Sequence, residues 1–258
     1  MATAAQVAEY REANRALVTL AQRDLQQFWS ALDMSGDPVR IRNLLLDVFP
    51  DLVTSYGDTA AVLGADWYDL LRNVPASAGA FRAVTARPAP TEQAQKAARW
   101  GIGPLFVEDP TTALAQLRGS LQRLVMQPGR DAVWDSAALD PVRTGVARVP
   151  SGTDTCSFCV MLASRGPIYQ SQVNAEIVVG RGSNRTGYDA AGKRLSGGIG
   201  GGVKARGNQS LGKKFHDDCD CASVVVRSPA DYPAGYDPDH YLDLYQKGSG
   251  AGRYELQD

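Results

Sequence analysis

Histidine and cysteine are scarce in this chain of 258 residues, and neither occurs before position 156. The six residues of these two types are Cys156, Cys159, His216, Cys219, Cys221 and His240. Because imidazole and thiol groups are among the commonest metal ligands and catalytic nucleophiles or bases, the first 155 residues are poorly equipped for either chemistry. A metal or nucleophile site is therefore expected in the last 103 positions, 156–258.

The chain also lacks an excess of charge of either sign and a long apolar run. Its formal net charge is −1, which argues against a protein that is basic over its whole surface and binds nucleic acid with it. The opening sequence MATAAQVAEYREANRALV carries charges throughout and has no apolar signal-peptide centre. The strongest apolar block, at 44–49, is far shorter than the roughly 20 residues that span a bilayer. These features predict a globular cytoplasmic product with reduced thiols.

Residues 1 to about 145 have the periodicity of helices. Apolar residues from Val7 to Leu32 recur at three- and four-residue spacing, which predicts a long first helix. The SGDP sequence at 35–38 predicts a break, with Pro38 starting the next helix. Further helices are predicted over 38–50, 51–71, 91–101, 110–126 and 129–138. No polar cluster in this half indicates catalysis, so we interpret it as a helical core and partner-binding surface.

The chain changes character near Val142. VRTGVARVPSG predicts a short strand and a turn, and CASVVVRSP predicts a clear strand. TCSFCVMLASRG predicts a turn and a short helix that Gly166 caps in the left-handed conformation. Between these motifs, residues 180–214 hold eleven glycines and eight basic residues but one acidic residue. The segment has few apolar side chains, and their burial cannot offset the conformational entropy that would be lost if the segment became ordered. It is therefore predicted to be a mobile arm.

These patterns predict an α+β protein with a helical N-terminal half and a small mixed α/β C-terminal domain. The predicted divisions are 1–141 for the helical domain, 142–227 for the cysteine-containing domain with its insert at 180–214, and 228–258 for a C-terminal tail. The tail is rich in Pro, Gly, Tyr and Asp, and we expect it to loop over the surface or over a neighbouring molecule.

The cysteines form two motifs, CxxC at 156–159 and, with a histidine, HxxCxC at 216–221. Structural zinc takes four thiolate or imidazole ligands, and a CxxC turn supplies two of them. The sequence therefore predicts a structural zinc site with five candidates for four positions: Cys156, Cys159, His216, Cys219 and Cys221. The last two cysteines lie two apart at the start of a strand and point the same way; which of them binds metal is left open. Asp217, Asp218 and Asp220 are interpreted as a solvated turn.

Other interpretations of these residues remain open. The cysteines can form two disulfides or can simply be buried. Alternatively, Cys156, Ser157 or Ser164 can act as a nucleophile with His216 as base, which would make the chain a hydrolase. No GxSxG elbow supports that chemistry, and a metal-bound His216 is not available as a base.

The glycine-rich arm has no phosphate-loop motif of the type GxxxxGK[ST]. Its basic residues can instead contact DNA phosphates without sequence specificity. The candidates for this contact are Arg181, Arg185, Lys193, Arg194, Lys204 and Arg206. A DNA-binding module built on the arm is therefore one further functional alternative.

RVPSGTDTCSFCVMLASRGPIY followed, after a long insert, by FHDDCDCASVVV resembles the Mu F-type minor head proteins of phages, in their actinobacteriophage branch. The resemblance covers about residues 142 to 227, and the five candidate metal ligands match the family's CxxC and HxxCxC pattern. The size and basic character of the insert depart from the simplest family pattern.

The resemblance implies a minor capsid protein of the virion, made in the host bacterial cytoplasm and placed in the capsid interior near the portal vertex. It implies a role in head morphogenesis and in DNA packaging or ejection, in several copies per virion. The implied partners are the portal protein, the major capsid and scaffold proteins and packaged double-stranded DNA, with no membrane. Related phage genes are also labelled capsid maturation proteases, so cleavage of scaffold or capsid proteins is the enzymatic alternative.

Overall fold

Helices dominate the computed structural model, which describes residues 2–34, 36–75, 78–150, 154–168, 219–247 and 253–255. The helices are α1 (Ala4–Ser30), α2 (Pro38–Leu71), α3 (Thr91–Gly101), α4 (Pro110–Leu139), α5 (Ser157–Ala163) and α6 (Pro238–Lys247). The strands are β1 (Gly145–Val149), β2 (Asp154–Cys156), β3 (Ala222–Val226) and β4 (Arg253–Glu255). This is the α+β composition that the sequence predicts. The domain divisions at 141 and 227 stay a prediction.

The long first helix is confirmed as α1. Thr3 and Gln6 form a capping box at its start, in which Thr3 Oγ1 accepts from the Gln6 amide at 3.2 Å and Gln6 Oε1 accepts from the Thr3 amide at 2.9 Å. Its apolar stripe, which includes Leu17, Ala21 and Leu25, is buried in the helical core. In the described part of the chain, no helix combines the length and the apolar character that a membrane span needs.

The predicted helix end at Pro50 is wrong, because α2 runs through this residue without interruption. An internal proline has no N–H and leaves the carbonyl four residues earlier without its helical donor. That carbonyl belongs to Leu46, and Gln95 Nε2 of α3 donates to it at 3.2 Å. Pro50 is itself buried beside Phe49. A tertiary hydrogen bond and packing therefore offset the local cost of the proline.

The predicted division between 126 and 129 is also wrong, since α4 is continuous through Pro128. The start is as expected: Asp109 Oδ1 accepts from the Thr112 amide at 3.0 Å, and Pro110 follows the cap. Pro128 and Gly129 are both buried, and they lie where α4 contacts α2. Tertiary packing holds the helix together where local propensity would end it.

The contact between α2 and α4 depends on two glycines that let the backbones approach. A Cβ atom added at Gly64 would overlap the Gly129 carbonyl and lie 2.7 Å from the Gly129 Cα. A Cβ added at Gly129 would lie 2.5 Å from the Ala60 carbonyl oxygen. Because backbone atoms rather than flexible side chains block the added atom, the two helices would have to separate.

Gly64→Ala is therefore expected to lower the free energy of unfolding by about 3 kcal/mol, despite the better helix propensity of alanine. Urea denaturation of the variant and the parent protein measures this loss. Gly103→Ala is the matched control, because a Cβ there meets no atom within 4 Å. Equal denaturation midpoints for Gly64→Ala and Gly103→Ala would contradict the close helix contact.

Both strands predicted around the cysteine motifs are confirmed, as β1 and β3. They pair antiparallel, with Gly145 opposite Val226 and Val149 opposite Ala222, and every residue of both strands is buried. Helices α2 and α4 contact β3, and α5 contacts β1. Trp67 of α2 donates its Nε1 hydrogen to the Ser223 carbonyl at 2.9 Å, which ties the helical core to this sheet.

The prediction that the tail only loops over the surface is wrong, because α6 forms within it. Asp237 Oδ1 accepts from the Asp239 amide at 2.9 Å, and Pro238 occupies the first helical position. Tyr241 of α6 is buried, and Tyr236 donates to the Ala163 carbonyl at 2.6 Å. Aromatic burial against α5 orders a segment whose composition resembles that of a loop.

Candidate metal centre

Three of the four cysteines meet in one buried cluster. Cys159 lies on α5, and Cys219 and Cys221 lie directly before β3. Their exposed fractions are 2%, 2% and 4%, and their Sγ atoms all lie within 4.8 Å of one another. The Cys159 and Cys219 sulfurs are 3.5 Å apart although 60 positions separate them in sequence. The fold thus brings the CxxC and HxxCxC motifs together.

The spacing of the three sulfurs fits a tetrahedral metal site. With Zn–S bonds of about 2.3 Å, two thiolates at neighbouring corners of a tetrahedron are about 3.8 Å apart. The one separation of 3.5 Å, between Cys159 and Cys219, is close to that value, and no pair of these sulfurs is more than 4.8 Å apart. No disulfide joins the three thiols. The cluster can therefore supply three corners of a zinc site.

The structure describes less of the other two predicted ligands, Cys156 and His216. The Cys156 backbone ends β2 directly before α5, but its side chain lies outside the described residues, as does all of His216. The structure brings Cys219 and Cys221 equally into the cluster, so it does not single out one of them. The five-residue ligand set stays a prediction.

Two buried guanidinium groups lie next to the thiols. Arg130 of α4 is 3% exposed and donates from Nη2 to the Cys219 carbonyl. Arg148 of β1 pairs with Ser223 across the sheet and its charge favours the Cys221 thiolate. Sequence reasoning missed both arginines. A signal for Arg130 was present, since it lies on the same buried stripe of α4 as Met126 and Val133.

The Cys221 thiol favours the protonated form when no cation is bound. A hydrogen bond with Cys159 lowers the pKa of Cys221, but the hydrogen bond with Cys219, burial and the Cys219 charge outweigh it and raise that pKa above its ordinary value. Buried neutral thiols are poor nucleophiles. A divalent cation among them would reverse this balance, because it stabilises thiolates directly.

The other candidate catalytic residues whose side chains the structure describes do not form a pair of nucleophile and general base. Ser164, directly after α5, donates its hydroxyl to the Met161 carbonyl of that helix at 2.7 Å. His240 is exposed and lies edge-on to Tyr241. Asp220 is exposed and accepts from Gln122 Nε2 at 3.2 Å, whereas Asp217 and Asp218 lie outside the described residues.

The glycine-rich arm at 180–214, with its six candidate DNA contacts, also lies outside the described residues. Its predicted mobility and its contact with DNA therefore stay predictions.

Comparison with known proteins places relatives of this chain in phages. The sequence model of the VG15 protein family matches residues 1–248, a range that includes every cysteine and histidine. The Gene 15 protein of Mycobacterium phage D29 is 27% identical over 209 residues, which cover 78% of this chain and 72% of the relative. The Gene 15 protein of Mycobacterium phage L5 is 29% identical over 165 residues, which cover 58% of this chain and 51% of the relative. No solved structure matches the chain significantly.

Proposed function

We propose that this chain, a member of the VG15 protein family of phages, is a structural minor head protein of a tailed bacteriophage. In this proposal several copies lie with the portal protein inside the capsid. They contact the major capsid and scaffold proteins and act in head assembly and in DNA packaging or ejection.

The observation that carries the proposal is the burial of the cysteine cluster. A catalytic zinc site keeps one coordination position open to water or substrate. Here the three thiols are almost fully buried, and Arg130 and Trp67 bind the adjoining backbone at Cys219 and Ser223. A cluster in this position supports a role in fixing the sheet against the helical core, which suits an assembly protein better than an enzyme.

The proposed metal is zinc, held by Cys159, Cys219 and Cys221, with Cys156 or His216 in the fourth position. When bound, zinc would supply structural cross-linking and no chemistry on a substrate. Zinc binding free energy becomes folding free energy when the site exists only in the folded chain. Such a clamp stabilises β3 and α5 without requiring a large additional core.

The protease alternative has less support from the described residues. The Cys221 thiol has little thiolate character, because its pKa is raised, and the Ser164 hydroxyl donates to the Met161 carbonyl of α5. Cys156 and His216, the other pair proposed for it, remain candidates for the metal instead. A DNA-binding role of the arm is likewise an alternative that no described contact favours.

The proposal is tested in the phage that carries this gene. Mass spectrometry of purified virions is expected to detect the chain, and deletion of the gene is expected to reduce the yield of DNA-filled infectious particles by at least about tenfold. Complementation with the wild-type gene restores the yield. Absence of the chain from virions, with normally filled heads after deletion, would contradict a structural role. Loss of capsid or scaffold protein cleavage after deletion, reproduced with purified chain, would favour the protease.

A further inference from the structure

A second polar feature lies on the other side of Cys221, where no sequence motif indicates a site. It is a cavity of about 330 Å³ between α1 and α4, closed by the chain that enters β3. Its polar lining includes Arg11, Asn14, Arg15, Gln122, Arg130 and Asp220. The volume lies at the lower end of the range of about 300–1,000 Å³ that small-molecule sites occupy.

Positive charge exceeds negative charge in this cavity. Three guanidinium groups line it, against the single carboxylate of Asp220. Among the residues that the structure describes, Arg11 and Arg15 have no carboxylate within ion-pair distance. Loss of hydration lowers the pKa of Arg11, although the charges of Cys221, Tyr241 and Asp220 oppose that shift. Among the described lining residues, guanidinium groups therefore outnumber carboxylates.

Two of the three guanidinium groups, those of Arg11 and Arg130, are held in place by backbone carbonyls before any ligand arrives. Arg11 donates from Nη2 to the Pro150 carbonyl at 2.7 Å, which fixes the plane of its guanidinium. Its Nε atom is fully buried and has no hydrogen-bond partner within the described ranges. Arg130 is anchored on the Cys219 carbonyl, and Arg15 is exposed at the mouth. Fixed donors bind a ligand at a lower entropy cost than mobile ones.

We propose that this cavity binds an oxyanion, a phosphate or a carboxylate group, at Arg11 and Arg15, with the buried charge of Arg130 behind them. Planar guanidinium groups match both oxyanions, to which they can donate two parallel hydrogen bonds. The ligand would neutralise part of the positive charge of Arg11 and Arg15. This site adjoins the proposed zinc clamp through Cys221 and Arg130, but its occupancy does not depend on the role of the chain in the head.

The test is calorimetric titration of the full chain, purified with its metal, with inorganic phosphate and separately with sodium acetate. We expect saturable binding of one anion per chain, and at least about tenfold weaker binding to Arg15→Gln, because a charged hydrogen-bond donor is lost. Arg23→Gln removes the same charge from an exposed position of α1 outside the cavity, and it is expected to change affinity by less than about twofold.

The two probes distinguish the sources of the oxyanion. Binding of phosphate without binding of acetate supports a phosphate ligand. Binding of acetate alone, or competition of acetate with phosphate, supports a carboxylate. That carboxylate can come from an acidic side chain or a small acid. The melting temperature of Arg15→Gln checks that it folds. Absence of saturable binding with either probe, or equal losses in Arg15→Gln and Arg23→Gln, would overturn the proposal.

Discussion

Cys159→Ser is expected to lower the free energy of unfolding of the zinc-loaded chain by more than about 3 kcal/mol. The reason is that structural zinc contributes roughly 10 kcal/mol or more to the folding of its site, and the variant loses one ligand. Cys159 is also the residue that joins α5 to the two cysteines before β3. Urea denaturation followed by tryptophan fluorescence measures the loss, since Trp67 is hydrogen-bonded to the backbone of β3.

Two controls separate metal loss from the cost of burying a hydroxyl group. Ala163→Ser introduces a hydroxyl at another fully buried position of the same helix that does not contact the thiols, and it is expected to cost much less. A chelator should lower the free energy of unfolding of the wild type to that of Cys159→Ser. If Cys159→Ser and Ala163→Ser are equally destabilised, and the chelator changes neither the wild type nor the variant, the clamp does not exist.

Asp140→Asn is expected to lower the melting temperature by roughly 6–12 °C, the second largest effect in the chain, because it leaves a buried cation without its partner. The Asp140 side chain is fully buried at the end of α4. It accepts from Arg72 Nε at 2.6 Å, from the Tyr68 hydroxyl at 2.9 Å and from the Val142 amide at 2.9 Å. One carboxylate thus ties α2 and α4 to the segment that enters β1.

The same residue predicts a pH dependence. Burial alone would raise the pKa of Asp140, but hydrogen bonds from Arg72, Val142 and Tyr68 bring it below its ordinary value. A carboxyl group with a lowered folded-state pKa stabilises the protein above its unfolded pKa of about 3.9, and that contribution is lost as the pH falls through the folded value. The melting temperatures of the wild type and Asp140→Asn should therefore converge only as the pH falls from about 3.9 through the lowered folded value.

Asp243→Asn is the control for this prediction. It removes a carboxylate from an exposed pair with Lys247, in which the two side chains are 53% and 73% exposed. Such surface pairs contribute little, so its melting temperature should stay within about 2 °C of the wild type. A similar small change in Asp140→Asn would show that the buried network is not a major source of stability, and a difference that stays constant at every acid pH would show that the charge of Asp140 is not its cause.

The sequence predicted elements whose signal is local. Apolar spacing identified α1, β-branched runs identified β1 and β3, and Pro38 marked the start of α2. The continuity of α2 and α4 through their prolines could not be predicted in this way. It depends on tertiary contacts, namely the hydrogen bond from Gln95 to Leu46 and the close approach at Gly64 and Gly129.

The candidate site was predictable in part for the same reason. The CxxC and HxxCxC spacing indicated which residues could share a metal, but only the antiparallel pairing of β1 with β3 and the packing of α5 bring Cys159 to Cys219. The oxyanion cavity combines α1 with residues about 200 positions later, and no motif connects Arg11 to Cys221. Charged residues scattered along amphipathic helices have the same pattern whether they face solvent or a cavity.

Zinc content per chain tests the central claim most directly. Elemental analysis of full chain purified without added metal should give about one zinc per chain for the wild type and for Ala163→Ser, and nearly none for Cys159→Ser. Zinc content is also measured for the two single variants Cys156→Ser and His216→Ala. The fourth ligand is the residue whose substitution releases the metal. A wild-type chain that contains no zinc, does not take it up in excess, and keeps its thiols reactive would contradict the clamp.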